Sequence, residues 1–423
     1  MKKIAFLFPG QGSQYVGMGK SLCQNHSLAK QTYIEANDVL GFDLQKLCFE
    51  GSLEELSKTE NTQPALLTAS VAFFRVFMKE IGIEPAALAG HSLGEISALT
   101  CSGAIQFSDA LRIVRQRGRF MQEAVPVGLG GMSSVIGIKK NIIEEVCQKY
   151  TTDGQIVAVS NFNSPEQIVI SGHINAVNQA GEDLKAKGGR IIPLMVSAPF
   201  HSPLMQPAAD KLKEELLKYN YSNLKYPVIS NVTAEPYPGH EKIIEYLTMQ
   251  IVKPVNWSDS MEYIRNVGIE AAVELGPKTV LRNLIAQNVK SITAFSYDDE
   301  KDSDKLKSTV FKDKPEAGTQ KKFKHTVVLK CIAIAICTRN YNWNNDEYQK
   351  GVVEPYRRVV QLQSKLEAEG RQPTYEEMQE ALNMLISVFE TKRTPLDEQS
   401  ERFRQIFDET GTWELFKNFK IPV

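Results

Sequence analysis

A serine between two glycines is the first residue of this chain whose setting suggests chemistry. The stretch ALAGHSLGEIS, residues 87–97, has the pattern Gly-x-Ser-x-Gly around Ser92. Apolar residues precede it and a helical pattern follows it, which predicts a sharp turn from a strand into a helix. The first N–H groups of a helix have no partners within it and can bind a developing oxyanion. Ser92 is therefore a candidate nucleophile, and the alternative is a serine that caps the helix.

A nucleophilic serine needs a general base, and the chain contains six histidines. His91 directly precedes the serine and should point elsewhere. His201, in the segment MVSAPFHSPLM, follows a predicted strand and precedes a predicted helix. It therefore belongs at the carboxyl edge of a sheet, where the sites of open α/β proteins assemble. This topology selects His201 as the base, and the alternative is a histidine satisfied within the core.

One charged residue lies on the apolar face of a predicted helix. In ALRIVRQRGRFMQEA the apolar stripe includes Arg117, whereas the neighbouring arginines fall beside it. A guanidinium on an apolar face needs an anion, because burying it unpaired is very costly. The anion is either a carboxylate of the chain itself or the carboxylate of a substrate, held by two hydrogen bonds. The second interpretation, together with Ser92 and His201, predicts an enzyme that acts on acyl groups bearing a carboxylate.

A glycine-rich turn, PGQGSQYVGMG at residues 9–19, follows the first predicted strand. It is not a dinucleotide fingerprint, because Gly10 and Gly12 are in place but the third glycine comes at Gly17. Such a turn can instead offer a backbone N–H to an oxyanion, with Gln11 as the donor.

Strands and helices alternate over residues 1 to about 295. Apolar runs at 4–8 and 85–91 are typical of buried strands, and a helical pattern covers 93–105. This alternation favours a mainly parallel sheet covered by helices. Residues 128–197 differ, because their predicted order is βαββαβ, the ferredoxin-like arrangement. The predicted fold is thus an α/β domain, residues 1–127 and 198–298, with residues 128–197 as an inserted ferredoxin-like subdomain.

The remaining residues form a predicted linker and a helical extension. Residues 299–324 are predicted to be a linker or a solvated segment, because residues 301–324 hold eight lysines against four acidic residues. Residues 325–423 are predicted to be helical. There Thr374 and Glu377 form a capping box ahead of a one-sided apolar stripe over residues 378–389. The stripe either packs within the protein or docks a partner protein.

Composition narrows the possible functions. The chain has 423 residues, of which 42% are hydrophobic and 23% charged, with a formal net charge of −1. This balance gives no reason to expect nucleic acid or an anionic membrane as a partner. The six cysteines show no metal-binding spacing and are typical of reduced thiols. The longest later apolar run, residues 327–337, is too short to span a bilayer. We therefore expect a soluble, cytoplasmic protein.

These motifs together closely resemble those of the malonyl-CoA:acyl-carrier-protein transacylase family. The similar segments cover roughly residues 1–295 and come in the family's order. They are FPGQGSQ (8–14), TQPALLTAS (62–70), GHSLGE (90–95), RQRG (115–118), the Phe200-His201 segment, ISNVTAEPY (229–237), QIVKPVNW (250–257) and ELGP (274–277). Among subtypes, the chain looks most like the discrete, trans-acting acyltransferases of bacterial polyketide and hybrid lipopeptide synthases.

The resemblance implies a catalytic role for five residues. Ser92 would be the nucleophile and His201 its base. Family members orient this histidine with a main-chain carbonyl instead of an aspartate, and the matching position is Gln250. The backbone N–H groups of Gln11 and Leu93 would form the oxyanion hole.

The resemblance also implies how the acyl group is chosen. Arg117 would bind the malonyl carboxylate, with Gln63 lining the pocket nearby. Phe200 matches malonyl-selective members and could crowd an α-methyl branch. Ala198-Pro199, however, departs from the His-Ala that usually precedes this phenylalanine in modular synthases.

The implied activity is ping-pong transfer of malonyl from malonyl-CoA, through a Ser92 acyl-enzyme, to the phosphopantetheine thiol of an acyl carrier protein. The resemblance implies a monomer that needs no metal and no redox cofactor. Three alternatives remain open: a proofreading acyl hydrolase of the same fold, an α/β-hydrolase esterase, and the malonyl transacylase of primary fatty-acid synthesis. The hydrolase relatives tend to lack the arginine at position 117. Esterases run Ser, then Asp or Glu, then His, typically without a ferredoxin-like insert.

Overall fold

The computed structural model describes residues 3–126, 128–196, 198–310, 326–342, 344–417 and 419–420. The chain divides into two compact units, Met1–Asp313 and Lys314–Val423. The strands all belong to the first unit and are β1 (Ile4–Phe8), β2 (Ala87–Gly90), β3 (Gly130–Ile136), β4 (Val157–Ser164), β5 (Gln167–His173), β6 (Arg190–Pro193), β7 (Val228–Ile229), β8 (Ala271–Glu274) and β9 (Thr293–Ser296) within the described residues.

The helices of the first unit surround these strands. They are α1 (Lys20–Asn25), α2 (Ser27–Leu40), α3 (Leu44–Glu50), α4 (Leu53–Ser57), α5 (Thr59–Glu80), α6 (Leu93–Cys101), α7 (Phe107–Glu123), α8 (Lys140–Tyr150), α9 (Ile174–Ala186), α10 (Gln206–Leu216), α11 (Ile243–Val252), α12 (Trp257–Asn266), α13 (Val280–Asn288) and α14 (Glu300–Val310). Short 3₁₀ turns cover Pro203–Met205 and His240–Lys242.

A five-stranded parallel sheet in the order β7-β2-β1-β8-β9 forms the centre of the first unit. Successive side chains of a strand point to opposite faces, so β1 contributes to two cores. Its Phe6 and Phe8 pack with α5 on one face, and its Leu7 packs with Trp257 on the other. Burial on both faces explains why β1 is an uninterrupted apolar run. The predicted mainly parallel, helix-covered sheet is confirmed.

The inserted subdomain has its own antiparallel sheet. Its strands lie in the order β4-β5-β3-β6, with α8 and α9 connecting them in the sequence βαββαβ. Apolar side chains of α8 and α9, such as Ile143 and Val177, pack with Ile170 of β5 in a separate core. This is the ferredoxin-like arrangement expected from the sequence.

The expected linker over residues 299–324 is wrong in its first part. Residues 300–310 form α14, in which Asp302 and Leu306 are buried. The Asp302 carboxylate accepts a 2.7 Å hydrogen bond from Arg282 Nε on α13 and another from Ser296 N at 3.1 Å. The lysine-rich composition gave no apolar pattern from which this helix could be predicted. An ion pair to a distant residue and one buried apolar side chain hold it in place. The rest of the expected linker lies outside the described residues.

The second unit is a helical bundle with its own apolar core. Its helices are α15 (Val327–Cys337), α16 (Asn345–Tyr348), α17 (Glu354–Glu369), α18 (Tyr375–Lys392) and α19 (Leu396–Thr410), and a π-helical turn, Gln349–Val353, precedes α17. The Thr374–Glu377 capping box begins α18 as predicted. Buried residues of the α18 stripe, such as Leu385 and Phe389, pack in the same core as Phe403 of α19. The stripe is therefore covered by helices of its own unit.

No helix in the described part of the chain is long and apolar enough to cross a membrane. The apolar run at 327–337 forms α15, which ends after 11 residues. All six cysteines are free thiols.

Candidate active site

Ser92 lies in the sharp turn between β2 and α6. Its backbone angles, φ 53° and ψ −105°, are strained for a residue with a side chain. The flanking glycines are required by close approach, because a Cβ at Gly90 would lie 1.9 Å from the Gly94 carbonyl and one at Gly94 would lie 1.9 Å from Phe8 O. The turn is thus compressed against the end of β1, as in a nucleophile elbow.

The Ser92 hydroxyl makes no capping hydrogen bond to α6. Instead, its Oγ lies 2.7 Å from His201 Nε2 and 3.2 Å from Arg117 Nη2. The alternative of a helix-capping serine is therefore wrong. The hydroxyl lies between an imidazole and a guanidinium.

His201 is oriented by the main chain. Its Nδ1 lies 2.7 Å from the carbonyl oxygen of Gln250. Because a carbonyl only accepts hydrogen bonds, Nδ1 carries the hydrogen and Nε2 has a free lone pair toward Ser92. Burial, and secondly the nearby Arg117, lower the pKa of His201 to about 3. The imidazole is therefore neutral at physiological pH and able to accept a proton.

Arg117, on α7, is 2% exposed. Its Nη1 donates to Gln63 Oε1 at 2.9 Å, and its Nη2 donates to Gln250 Oε1 at 2.8 Å. Its Nε is buried without a partner. Burial lowers the pKa of Arg117 to about 10, which still leaves it charged at neutral pH.

The other arginines of α7 pair with acids on the surface. Arg112 pairs with Asp109, and Arg115 and Arg119 both approach Glu60. Among the described residues, no ion pair to a carboxylate includes Arg117; its three partners are uncharged side chains. None of the described carboxylates therefore contacts Arg117 directly, although the nearby buried Glu95 partly offsets the effect of burial on the pKa of Arg117. The guanidinium keeps donor capacity for another anion.

Two peptide groups beside Ser92 have fixed carbonyls. Gly10 O accepts from both Ser13 N and Ser13 Oγ. Ser92 O accepts from Gln250 Nε2 at 3.0 Å and Glu95 N at 3.1 Å. In a trans peptide the N–H points away from the C=O. These bonds therefore fix the direction of the next N–H groups, those of Gln11 and Leu93, which have no acceptor within the described residues.

A cavity of about 430 Å³ opens above Ser92. Near the serine its wall is apolar and includes Leu93, Met121, Met132, Leu194, Val196 and Phe200. The ferredoxin-like subdomain and α13 contribute five amide side chains and further apolar ones to the wall. The amides are Asn161, Asn163, Gln167, Asn283 and Gln287, and the apolar residues are Val169, Val280, Leu281 and Leu284. The cavity has room for a small acyl group and for part of a longer polar arm.

Known proteins match this chain over most of its length. The family model for the acyl transferase domain matches residues 5–329. A malonyl CoA–acyl carrier protein transacylase of Bacillus subtilis is 37% identical over 94% of this chain and 99% of its own length. The protein of the same name from Salmonella typhimurium is 48% identical over 70% of this chain and 95% of its own length. The chain belongs to the malonyl CoA–acyl carrier protein transacylase family.

Solved structures of transacylases agree with this assignment. A malonyl-transacylase in complex with its type II polyketide acyl-carrier protein matches with a TM-score of 0.69 at 44% identity, covering 71% of this chain and 97% of that chain. A transacylase from Clostridium perfringens matches with a TM-score of 0.70 at 41% identity, covering 73% of this chain and 98% of that one.

All eight residues expected in the transacylase site lie together. Ser92, His201, Arg117 and Gln63 line the cavity with Gln11, Leu93 and Phe200, and Gln250 contacts the first three of them. What each residue does in the reaction stays a prediction, as does the expectation that no metal takes part. Among the described residues, no group of three or more His, Cys, Asp or Glu side chains is placed to hold a metal ion.

Sequence reasoning missed three buried polar residues behind the transacylase site. Asn231 Oδ1 accepts from Ser92 N at 2.7 Å, and its Nδ2 donates to Gly90 O at 2.7 Å. Glu95 accepts from Asn231 N and from the Tyr237 hydroxyl. Burial raises the pKa of Glu95 to about 7, although its hydrogen bonds oppose the rise. Glu95 could have been identified in the same way as Arg117, because it is a charged residue within an otherwise apolar predicted helix, LGEISALTC.

Proposed function

We propose that this protein transfers a malonyl group from malonyl-CoA, through an ester on Ser92, to the phosphopantetheine thiol of an acyl carrier protein. The observation that carries the proposal is the position of one hydroxyl between two groups. Ser92 Oγ lies 2.7 Å from the neutral His201 Nε2 and 3.2 Å from the buried Arg117 guanidinium. The first contact supports nucleophilic attack, and the second supports an acyl group with an acid close to the reacting carbon.

Covalent geometry lets the carboxylate of a malonyl group on Ser92 reach Arg117. In a malonyl ester, the carboxylate carbon is three bonds from Ser92 Oγ, a separation of at most roughly 3.8 Å for an extended chain. Arg117 Nη2 is already within hydrogen-bonding distance of that oxygen, and Arg117 Nε is buried without a partner. A malonyl carboxylate can therefore reach the guanidinium, whereas an acetyl group leaves this donor unpaired.

Acylation begins with proton transfer from Ser92 Oγ to His201 Nε2. The oxygen attacks the thioester carbonyl, and the backbone N–H groups of Gln11 and Leu93 bind the resulting oxyanion. When the tetrahedral intermediate collapses, the C–S bond breaks and the CoA thiolate takes the proton from His201. The Gln250 carbonyl stabilises the imidazolium through Nδ1–H during this step.

Transfer repeats these steps with a new nucleophile. The phosphopantetheine thiol gives its proton to His201, and its sulfur attacks the carbonyl of the Ser92 ester. The same two N–H groups bind the oxyanion. When the C–O bond breaks, Ser92 Oγ recovers its proton from His201, and malonyl leaves as a thioester of the carrier protein. In both halves His201 accepts the proton of the attacking group and returns it to the leaving group.

The acceptor we propose is a carrier protein of a polyketide or hybrid lipopeptide synthase, served in trans. Two similarities support this choice. One solved neighbour is a malonyl-transacylase bound to its type II polyketide carrier protein, and the Bacillus subtilis relative matches 94% of this chain, so it includes much of the second unit. The carrier protein of fatty-acid synthesis is a second candidate. It is favoured by the 48% identity to the Salmonella typhimurium protein, whose length is close to that of the first unit alone.

Malonyl is the proposed extender rather than methylmalonyl. Phe200 is 7% exposed and lines the cavity beside His201. A methyl branch on the α-carbon would bring extra bulk toward this ring, and overpacking against an apolar wall is unfavourable. In a competition assay we expect malonyl-CoA to outpace methylmalonyl-CoA.

The test uses the full chain with malonyl-CoA, followed by a carrier protein in its phosphopantetheinylated form. Intact-mass spectrometry should detect malonyl on the enzyme and then on the carrier. Release of free malonate without a loaded carrier would identify an acyl hydrolase instead. Comparing loading rates for a fatty-acid carrier and a polyketide carrier then separates the two candidate acceptors.

A further inference from the structure

Glu95 is a completely buried carboxylate behind the reacting groups, and it contacts neither Ser92 Oγ nor the cavity wall. Three donors converge on it: Gln250 Nε2 at 2.6 Å, the Tyr237 hydroxyl at 2.5 Å and Asn231 N at 3.1 Å. Removing a carboxylate from water costs free energy even when donors surround it. The position of Glu95 therefore calls for an explanation.

The Gln250 side-chain amide has two possible orientations, and two close acceptors select one of them: Glu95, at 2.6 Å from Nε2, and Ser92 O, at 3.0 Å. Glu95 is the nearer and the only acidic one of the two. A side-chain amide has a donor end and an acceptor end that are nearly identical in shape. With Nε2 donating to Glu95, the Oε1 end faces Arg117 and accepts from Nη2 at 2.8 Å. The opposite orientation would place Oε1 against the Glu95 oxygens and the NH₂ group against the guanidinium donors. Both new contacts would be repulsive.

We infer that Glu95 is a positioning residue that holds the Gln250 amide in the orientation that Arg117 requires. Glu95 thereby acts, through Gln250, on the selection of a carboxylated acyl group. This inference rests on the proposed function, because it assigns Arg117 to the malonyl carboxylate. The order of action is Glu95 to Gln250 Nε2, then Gln250 Oε1 to Arg117 Nη2, and finally Arg117 to the substrate.

The base is held independently of this amide. His201 Nδ1 bonds to the backbone oxygen of Gln250, not to its side chain. Ser92 O keeps its bond from the backbone N–H of residue 95 whatever side chain stands there. Loss of the Glu95 carboxylate should therefore weaken acid recognition much more than the transfer chemistry itself. A residue that only supports the fold would affect both equally.

The test compares Glu95→Met with Glu95→Gln in the full chain, using malonyl-CoA and acetyl-CoA as acyl donors. Methionine fills similar space but offers Gln250 no oxygen acceptor. Glutamine keeps one oxygen for Gln250 Nε2, and its NH₂ group can donate to the Tyr237 oxygen. We expect Glu95→Met to lower the malonyl-to-acetyl ratio of acylation rates about tenfold, equivalent to ~1.4 kcal/mol. Glu95→Gln should keep the ratio within about twofold of the original protein.

Gln250→Met is the second variant, and it keeps the backbone carbonyl that bonds to His201. It should lower the same ratio, and the Glu95→Met/Gln250→Met pair should be no worse than Gln250→Met alone, because both changes break one chain of contacts. Each rate is divided by the concentration of protein whose Ser92 can be acylated by acetyl-CoA. Misfolded protein is thereby excluded from the comparison.

Equal losses for malonyl and acetyl in Glu95→Met would overturn the inference. An unchanged ratio in Gln250→Met would also overturn it, even if Glu95→Met did not fold. Failure of the proposed function looks different: the unmodified chain would not be malonylated, or Arg117→Ala would keep its preference for malonyl.

Discussion

At the residue scale, the site depends on one hydroxyl that contacts both a neutral base and a permanent cation. The same cation affects the base, because Arg117 adds to the effect of burial in lowering the pKa of His201. A protonated imidazole beside the guanidinium would be two like charges in a buried place. The arrangement therefore keeps His201 neutral and Arg117 charged, which are the two states that the proposed mechanism requires.

The first prediction concerns pH. Only neutral His201 can act as the base, and its pKa is lowered from 6.5 to about 3. As pH falls through 6.5, the base form therefore persists, and the acylation rate constant should show no loss attributable to this imidazole. Quench-flow kinetics of malonyl-enzyme formation between neutral pH and about pH 5 measure this. Burial raises the pKa of Glu95 to about 7, so its titration could resemble that of a histidine, and the pH series is repeated in Glu95→Gln. If the rate still fell below pH 6.5 in that variant, His201 would not have the lowered pKa.

The second prediction concerns the guanidinium. Arg117→Ala should lower malonyl kcat/KM by about 3 kcal/mol, roughly 100-fold, because it removes a charge-assisted pair of hydrogen bonds. The preference for malonyl over acetyl should fall with it. Arg112→Ala is the matched control, since Arg112 lies on the same helix but pairs with Asp109 at the surface. Unchanged malonyl kinetics in Arg117→Ala would show that the guanidinium has another role.

The sequence identified site residues best where a polar side chain stood out within an apolar pattern. Arg117 interrupts an apolar stripe, and Ser92 follows the predicted strand β2. The reason that selected His201 was wrong, because the strand before it, β6, ends at Pro193 in the antiparallel sheet and not at the carboxyl edge of the parallel sheet. Glu95 carried the same kind of signal as Arg117. Asn231 did not, because an asparagine after a short strand is ordinary, and only tertiary structure shows that it holds Ser92 N and Gly90 O.

At the element scale, the ends of neighbouring strands bring the site together. β1 leads to Gln11, β2 to Ser92 and β7 to Asn231, all at the carboxyl edge of one parallel sheet. One residue of the turn after β1 and one distant residue hold its carbonyls. Ser13 donates twice to Gly10 O, and Lys278 Nζ donates to Gly12 O at 3.2 Å.

The third prediction tests that turn. Ser13→Ala removes the hydroxyl donor to Gly10 O and leaves only the backbone donor, so the Gln11 N–H should be less well directed. We expect the acylation rate constant to fall about tenfold, less than the 10²–10³-fold typical of deleting an oxyanion donor outright. Malonyl-CoA affinity should be nearly unchanged. Ser21→Ala, at an exposed position, is the control; a change in affinity alone would argue against this role of the turn.

Sequence predicted the elements with strong local patterns and missed one that depends on distant contacts. β1 is a buried apolar run, and the order of the ferredoxin-like subdomain follows from alternating strand and helix patterns. α14 has few apolar residues and depends on an ion pair between Asp302 and Arg282, 20 residues earlier. Such a partner cannot be identified from local composition.

At the scale of the whole molecule, the chain has two units, each with its own core. The sequence predicted a helical extension whose α18 stripe either packs within the protein or docks a partner, and the stripe packs within the second unit. The Salmonella typhimurium relative carries the transacylase name at a length close to that of the first unit alone. Malonyl transfer should therefore need only the first unit.

The fourth prediction follows from this division. A chain ending at Asp313, which keeps α14, should fold and load a free carrier protein at close to the rate of the full chain. A chain ending at residue 299 should be less stable, because it loses buried Asp302 and Leu306. Thermal unfolding and carrier loading measure both. Insoluble protein ending at Asp313 would show that the units depend on each other, whereas poor loading of an intact synthase alone would assign docking to the second unit.

We expect Ser92 to carry the malonyl group between malonyl-CoA and the carrier protein. The most direct measurement is the mass of the intact protein, and of its peptides, after brief exposure to malonyl-CoA, for the original chain and for Ser92→Ala. We expect one malonyl group on the peptide that contains Ser92, its transfer to an added carrier protein, and neither event in Ser92→Ala. Malonylation and normal carrier loading by Ser92→Ala would contradict the account.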